Sequence, residues 1–320
     1  MGRLWKIFSD WIFWFGLFST VILGAVFYVV LGRSVESTVT QQLVSKQQII
    51  ARAEASNIIT YLQSFGNSVA VLAQLSSVKR HGADAASDLD VFVEQRRANG
   101  IIGGVVLTDR NGVVQLNSNI LGTRDTGSSL ADRDYFEWAK IQGGKGKYFF
   151  SKPVVSRLGA SKGQTIIVVA SPVYQGNVFT GVVAASVKLQ PLVDRFFGLM
   201  KVSDLTEIYV VDGMGELLYS NAFPDAVSSN ISELFLGDQA MSGSIKNVLL
   251  ATKEGKFQTE KQLVTYSPIR IGTQNWFLII SSPTQEVINL SRPFYIHQAA
   301  ILLVIAFTVL IFGALAIRKK

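Results

Sequence analysis

The chain has 320 residues, a formal charge of +7, no cysteine and two histidines, His81 and His297. The lack of cysteine excludes disulfides, thiolate zinc sites, thiol nucleophiles and covalently attached haem. The basic residues are dispersed and form no stripe, so no nucleic-acid partner is expected.

Residues 1–11 carry Arg3 and Lys6 and lead into an apolar run at 12–32, within which Ile12–Leu31 holds no charge. Ala299–Ile317 is a second uncharged run, followed by Arg318, Lys319 and Lys320. Some 20 such residues cross about 30 Å of hydrocarbon as a helix. Positive residues are retained on the cytoplasmic side, so both termini are expected inside and the segment between the spans outside. Trp5, Trp11 and Trp14 suit the inner interface. The first run is longer than a signal-peptide core, and Val29-Val30-Leu31-Gly32 offers no Ala-x-Ala site, so an uncleaved anchor is expected. The lipid bilayer is thus an expected partner.

Residues 33–100 read as helical. From Gly32 to Arg80 only Gly66 interrupts helix-compatible residues, and Ile58, Leu62, Phe65, Val69 and Leu72 fall on one face. The membrane helix is expected to continue outward as a stalk, with Gln41, Gln42, Gln47 and Gln48 solvated. The apolar stripe serves either intramolecular packing or the seam of a homodimer. Ser87 is placed to cap a second helix, Asp88–Ala98, with Leu89, Phe92 and Val93 inward.

After Gly100 the period becomes that of strands. Ile101–Thr108 and Val113–Asn117 flank a turn at Asp109-Arg110-Asn111-Gly112. Lys147–Ser151, Thr165–Ser171 and Phe179–Leu189 read as further strands, and Leu192–Met200 as a helix. The pattern then recurs: Asp212-Gly213-Met214-Gly215 restates the first turn, and Ser267-Pro268-Ile269 ahead of Trp276–Ser282 echoes Ser171-Pro172-Val173. The predicted organisation is two modules, 101–200 and 201–283, then a helix at 284–317 containing the second span and a tail at 318–320. The fold class is α+β: a long N-terminal helix and two antiparallel-sheet modules, flanked by two transmembrane helices.

Catalytic motifs are absent from the sequence. Gly143–Lys147 lacks the spacing of a phosphate loop and reads as a turn, and no GxSxG, HExxH or EF-hand pattern occurs. No catalytic residue, metal or cofactor is expected. Asp132 and Asp134 flank Arg133 and would not converge, and both histidines read as surface or interfacial residues. The densest polar and aromatic cluster is Leu130-Ala-Asp-Arg-Asp-Tyr-Phe-Glu-Trp-Ala139. An arginine fork beside aromatic rings suits a carboxylate. The competing reading is a helix that packs Tyr135, Phe136 and Ala139 on a sheet with Arg133 in solvent.

That run, with Ser151-Lys-Pro-Val-Val-Ser-Arg157, Ser171-Pro-Val-Tyr174 and Gly181–Leu189, resembles the double Cache (PAS-like) extracytoplasmic sensor domain of bacterial transmembrane receptors, over about residues 33–290. The resemblance implies two stacked modules on the long helix, with a small ligand in the membrane-distal module, 101–200. It implicates Arg133, Tyr135 and Phe136, with Trp138 beside them, as ligand contacts. The amino-acid-binding version has Tyr and Asp in the segment matching Val154 and Ser156, and Asp near Ser186. These three positions are expected at the pocket, but they lack those groups. A buried ammonium without an anionic partner is costly, so a small organic acid is expected rather than an amino acid, with Lys152, Arg157 and Lys188 as available cations. Such receptors continue past the second span into an output domain. A separate cytoplasmic or membrane signalling partner, or a longer receptor of which this is a fragment, is therefore expected. The expected function is a non-enzymatic sensor in the bacterial inner membrane. The alternatives are a membrane-anchored structural or degenerate receptor without a ligand, and an extracytoplasmic hydrolase.

Overall fold

The structure, a computed structural model, describes residues 2–318 apart from 123, 199, 201 and 204, without the side chains of 2–10, 12–14, 17 and 313–318. The side chains of Arg3, Trp5, Lys6, Trp14 and Arg318, and all of Lys319 and Lys320, lie outside what is described.

Helix α1 runs from Gly2 to Leu72 without a break. Proline is absent from it, and Gly66 is kept helical for a packing reason. A Cβ at Gly66 would lie 2.5 Å from the Tyr148 ring, so the glycine is the notch that admits that ring. Two short-range helices follow, α2 (Ser76–Lys79) and α3 (Asp84–Arg97). Helix α3 starts earlier than the sequence pattern predicts, and Ser87 sits inside it, not at its cap. Asp84 in the first turn complements the positive end of the helix. Leu89, Phe92 and Val93 are buried as expected.

The first module comprises β1 (Ile102–Thr108), β2 (Val114–Asn119), α4 (Asp134–Ile141), β3 (Phe149–Phe150), β4 (Val154–Val155), β5 (Thr165–Gln175), β6 (Val178–Lys188) and α5 (Leu189–Phe197). Its sheet is antiparallel in the order β2-β1-β6-β5-β3, with β4 also on β5. The second module comprises β7 (Glu207–Asp212), β8 (Leu217–Ser220), α6 (Ile231–Leu234), α7 (Gln239–Leu249), β9 (Gly255–Gln258), β10 (Gln262–Ile271) and β11 (Gln274–Pro283). Its order, β8-β7-β11-β10-β9, repeats the first.

The repeat reaches the hydrogen bonds of the turns. Asp109 Oδ1 accepts from the amides of Asn111 and Val113, and Asp212 Oδ1 from those of Met214 and Glu216. Gly112 and Gly215 close the turns at φ of 83° and 86°, which disfavours any residue with a Cβ. Each turn glycine also accepts, at 2.8 Å, the amide of the residue that begins the next segment, Leu130 or Ile231. The Ser-Pro pairs lie inside β5 and β10, not ahead of a strand. Pro172 is tolerated because β3 pairs only up to Ala170, so β5 has an open side where the missing N–H costs nothing.

The chain forms two compact bodies. One contains Gln47–Thr259 with Val264–Ser281, and so the first module and all of the second but the ends of β10 and β11. Within it Ile58, Leu62, Phe65, Val69 and Leu72 are all buried, with Phe65 against Phe92 at 5.9 Å between ring centres. That stripe is intramolecular packing and not a free dimer seam. Gln47 is likewise buried, and Gln48 donates to the Tyr266 carbonyl, so this part of the glutamine-rich stretch is not solvated.

The other body contains residues up to Lys46, 260–263 and Ser282 onward, including α8 (Gln285–Arg318). Tyr295 lies over Gly32, where a Cβ would come within 2.5 Å of the ring, and its hydroxyl donates to Glu36 Oε1 at 2.8 Å. Phe18–Leu72 and Gln285–Phe312 each contain a stretch long and apolar enough to cross a membrane.

Candidate functional site

The cavity of the first module lies against the sheet, between β1, β2, β5 and β6 on one side and the segments 130–135 and 154–160 on the other. The volume open to the centres of water molecules is about 50 Å³. A single water needs about 10–15 Å³ on this measure, so the space suits a ligand of only a few heavy atoms. Gly103 and Gly104 floor it on β1, Asn117 and Asn119 come from β2, and Ala184 and Ser186 from β6.

Arg133 is the residue before the first turn of α4, with extended backbone (φ −89°, ψ 139°). It is therefore off the helix, and its side chain reaches the cavity while α4 packs on the sheet. The helix packs Tyr135, Phe136 and Ala139 as one sequence reading has it, but Arg133 lines the cavity instead of standing clear of it in solvent. The segment is held by the Leu130 amide bonded to Gly112, so the Asp109 turn positions the arginine. Arg133 Nη2 donates to the Val155 carbonyl at 3.3 Å, and Arg133 forms no ion pair among the described residues.

The charge balance at the mouth is specific. Arg157, one of the available cations, is exposed at the cavity rim, and its guanidinium bonds Asp132 at 2.8 Å. The hydrogen bonds from Arg157 hold the Asp132 carboxyl below its ordinary range. Among the described residues the charged side chains in the lining are Arg133 and Arg157. Burial pushes the Tyr135 phenol up, so it stays a protonated donor at neutral pH.

Of the other residues singled out in sequence, Val154, Ser156 and Ser186 line the cavity. The Ser156 hydroxyl donates to the Leu158 carbonyl and the Ser186 hydroxyl to that of Gly104. Phe136 and Trp138 do not line it. Phe136 is turned about 100° along the helix from Tyr135 and packs edge-on against Phe179 at 6.1 Å. Trp138 stacks on Phe149 at 5.2 Å. Both aromatics belong to the packing of α4. Lys152 is exposed and Lys188 half-buried, and neither lines the cavity.

Sequence reading missed Asn117 and Asn119, which are 3% and 7% exposed. A signal was present: two amides at i and i+2 point to one face of a strand, where a buried sheet would otherwise carry apolar side chains. Asn119 Oδ1 accepts the Leu121 amide at 3.0 Å, and its Nδ2 donates to Asn117 Oδ1 at 3.3 Å. The Asn117 Nδ2 is buried with no acceptor in the protein. The following loop is tied down on two sides. Arg124 donates to the Asn117 carbonyl and pairs with Asp90 on α3, while Asp125 accepts the Gly159 amide at 2.7 Å.

The second module has the same topology and a hydrophobic core of its own. Tyr209, Leu217, Met241, Ile245, Val264 and Phe277 are buried together in its core. Among the described residues no group of three His, Cys, Asp or Glu could hold a metal ion.

Residues 32–291 match the Cache domain family. No curated protein matches the chain. Among solved structures, the ligand-binding domain of Pseudomonas fluorescens chemoreceptor CtaA in complex with L-serine is similar with a TM-score of 0.56 and 18% identity, over 77% of this chain and 99% of that one. The ligand-binding domain of the Pseudomonas aeruginosa PAO1 amino acid chemoreceptor PctB in complex with L-Arg gives 0.55 and 17%, over 77% and 97%. The extracellular domain of the putative histidine kinase vpHK1S-Z8 gives 0.58 and 13%, over 81% and 96%. At these identities the likeness is one of fold.

Proposed function

We propose, from the premise that this chain belongs to the Cache domain family, that it is a membrane-anchored sensory protein whose first module binds a small organic carboxylate, without catalysis. The observation that carries the reading is the charge of the cavity wall. Arg133 lines it without an ion pair among the described residues, and the Asp132 carboxylate at the mouth is engaged by Arg157. A carboxylate placed there gains a charge-assisted, two-point hydrogen bond from a guanidinium that the protein leaves free of anions.

The similar chemoreceptor domains carry amino acids, L-serine and L-arginine, which favours a second reading in which this cavity also takes an amino acid. The wall argues against it. An ammonium desolvated in this cavity would meet neutral oxygens only, and burying a charge without an anionic partner is costly. Membrane anchoring is supported by the two apolar helices, and an extracytoplasmic first body by the positive residues beside both spans. The packed interior of the second module supports a structural or coupling role for it.

The test is calorimetric titration of the full chain in detergent with two- to four-carbon carboxylates and the matching amino acids. Hydrogen bonds to charged groups contribute about 1.5–3 kcal/mol. Arg133→Ala should therefore weaken binding by about tenfold or more, and Arg133→Lys should restore only part of it. Its thermal midpoint should barely move, because the side chain makes a single 3.3 Å bond to the protein. Undiminished binding by Arg133→Ala, or tighter binding of the amino acids, would overturn the reading.

A further inference from the structure

We propose that Asn117 selects the group beside the ligand's carboxylate, so that the cavity takes 2-oxo or 2-hydroxy acids in preference to 2-amino acids. This rests on the carboxylate reading of the same cavity. The argument begins with an orphan: Asn117 lines the cavity, is 3% exposed, and its Nδ2 has no acceptor. A buried amide donor left unpaired is rare and calls for a partner that the protein does not supply.

The orientation of that amide follows from its neighbours. A backbone N–H can only donate, so the Leu121 amide fixes the Asn119 side-chain oxygen towards itself. The Asn119 Nδ2 must then face Asn117, and the atom it meets must be the acceptor, Oδ1. Both amides are locked by one backbone proton, and Asn117 is left with its NH₂ uncommitted. Flipping Asn117 would set two donors against each other.

An uncommitted donor in the wall sorts ligands by what they carry at C2. A carbonyl oxygen accepts from it, and a hydroxyl can turn its lone pair to it. An ammonium offers donors alone and would confront Asn117 with no acceptor. The two serine hydroxyls that also line the cavity are neutral and already donate to backbone carbonyls, Ser156 to Leu158 and Ser186 to Gly104. They supply lone pairs but no negative charge. The small volume suits short acids.

The probes are pyruvate, lactate and alanine, which differ essentially only at C2, titrated into the full chain in detergent. The parent should bind pyruvate or lactate at least tenfold more tightly than alanine. Asn117→Asp, close to isosteric, places a carboxylate where the NH₂ was. It should weaken the oxo acid and strengthen alanine, so that the preference shrinks by at least tenfold, about 1.4 kcal/mol, or reverses. If Asn117→Asp does not fold, Asn117→Ala replaces it and should bring the ratio of the affinities close to one. A variant that folds and keeps the parent's ratio overturns the role of Asn117 and leaves the carboxylate site intact. A parent that prefers alanine overturns it as well. A parent that binds none of the three, or whose binding is unaffected by Arg133→Ala, removes the carboxylate site itself and this inference with it.

Discussion

Gly103 and Ser161 form a contact whose energy can be worked from geometry. Gly103 floors the cavity on β1, and a Cβ built on it would lie 1.8 Å from Ser161 Oγ, 2.6 Å from Ser186 Oγ and 3.1 Å from Ser161 Cβ. Two hydroxyls must move to admit the methyl group. The Ser186 hydroxyl would give up its 3.2 Å bond to the Gly104 carbonyl, a net loss of about 1 kcal/mol. Ser161 is 1% exposed and must find a new rotamer in a packed wall. Overpacking of this kind costs about 1–3 kcal/mol, so Gly103→Ala should destabilise by that amount. The Ser161 Oγ is itself buried without a hydrogen-bond partner, so Ser161→Ala loses nothing and should be neutral or slightly stabilising. In the Ser161→Ala background the closest obstacle is gone, and Gly103→Ala should recover at least about half its cost, a coupling of the size seen for side chains in contact. The assay is thermal or urea unfolding of the four proteins of the cycle. One kcal/mol moves the midpoint by roughly 2–4 °C in a domain of this size. Additive effects of the two substitutions, or a Gly103→Ala midpoint equal to the parent's, would refute the geometry at the cavity floor.

Two further outcomes are expected. His81 has φ of 50°, its ring Nε2 is buried without a partner, and burial lowers its pKa, opposed in part by Asp109. The unfolded chain therefore binds the proton more readily. His81 contributes stability that is present above about pH 6.5 and is lost as pH falls through that value towards the lowered one. His81→Asn, which tolerates the left-handed backbone, should flatten this part of the profile in urea melts between about pH 5 and 7.5; an unchanged slope would show that other groups carry it. For topology, alkaline phosphatase inserted at Gly163, in an exposed turn at φ of 80°, should be active, and a fusion after Lys320 inactive; the opposite pattern would invert the orientation.

Periodicity and turn chemistry were legible in the chain itself. Charge-free runs at both ends, a proline-free stretch and the Asp-x-x-Gly spacing at 109–112 and 212–215 each dictate local structure, because backbone geometry and hydrogen bonding within a few residues decide them. Helix α3, with Leu89, Phe92 and Val93 inward, was legible in the same way. The start of that helix was not, since Ser87 can serve equally at a cap or within a turn.

Which apolar face meets which partner depends on contacts far apart in sequence. The stripe from Ile58 to Leu72 fits a dimer seam as well as a core, and only the packing of Phe65 on Phe92 and of Tyr148 over Gly66 decides for the core. The site divides along the same line. The cluster around Arg133 stands out in sequence as an arginine among aromatics. Yet Phe136 and Trp138 are turned away by helix geometry, and Arg133 is turned in because it precedes the first turn of α4. Asn117 and Asn119 look like ordinary strand residues until β1, β6 and the segment at 154–160 close around them. A lone pair or an N–H acquires meaning only when its neighbours in space are known. Composition and spacing fix the elements, whereas the charge and hydrogen-bonding capacity of a cavity are set by residues that only the folded chain brings together.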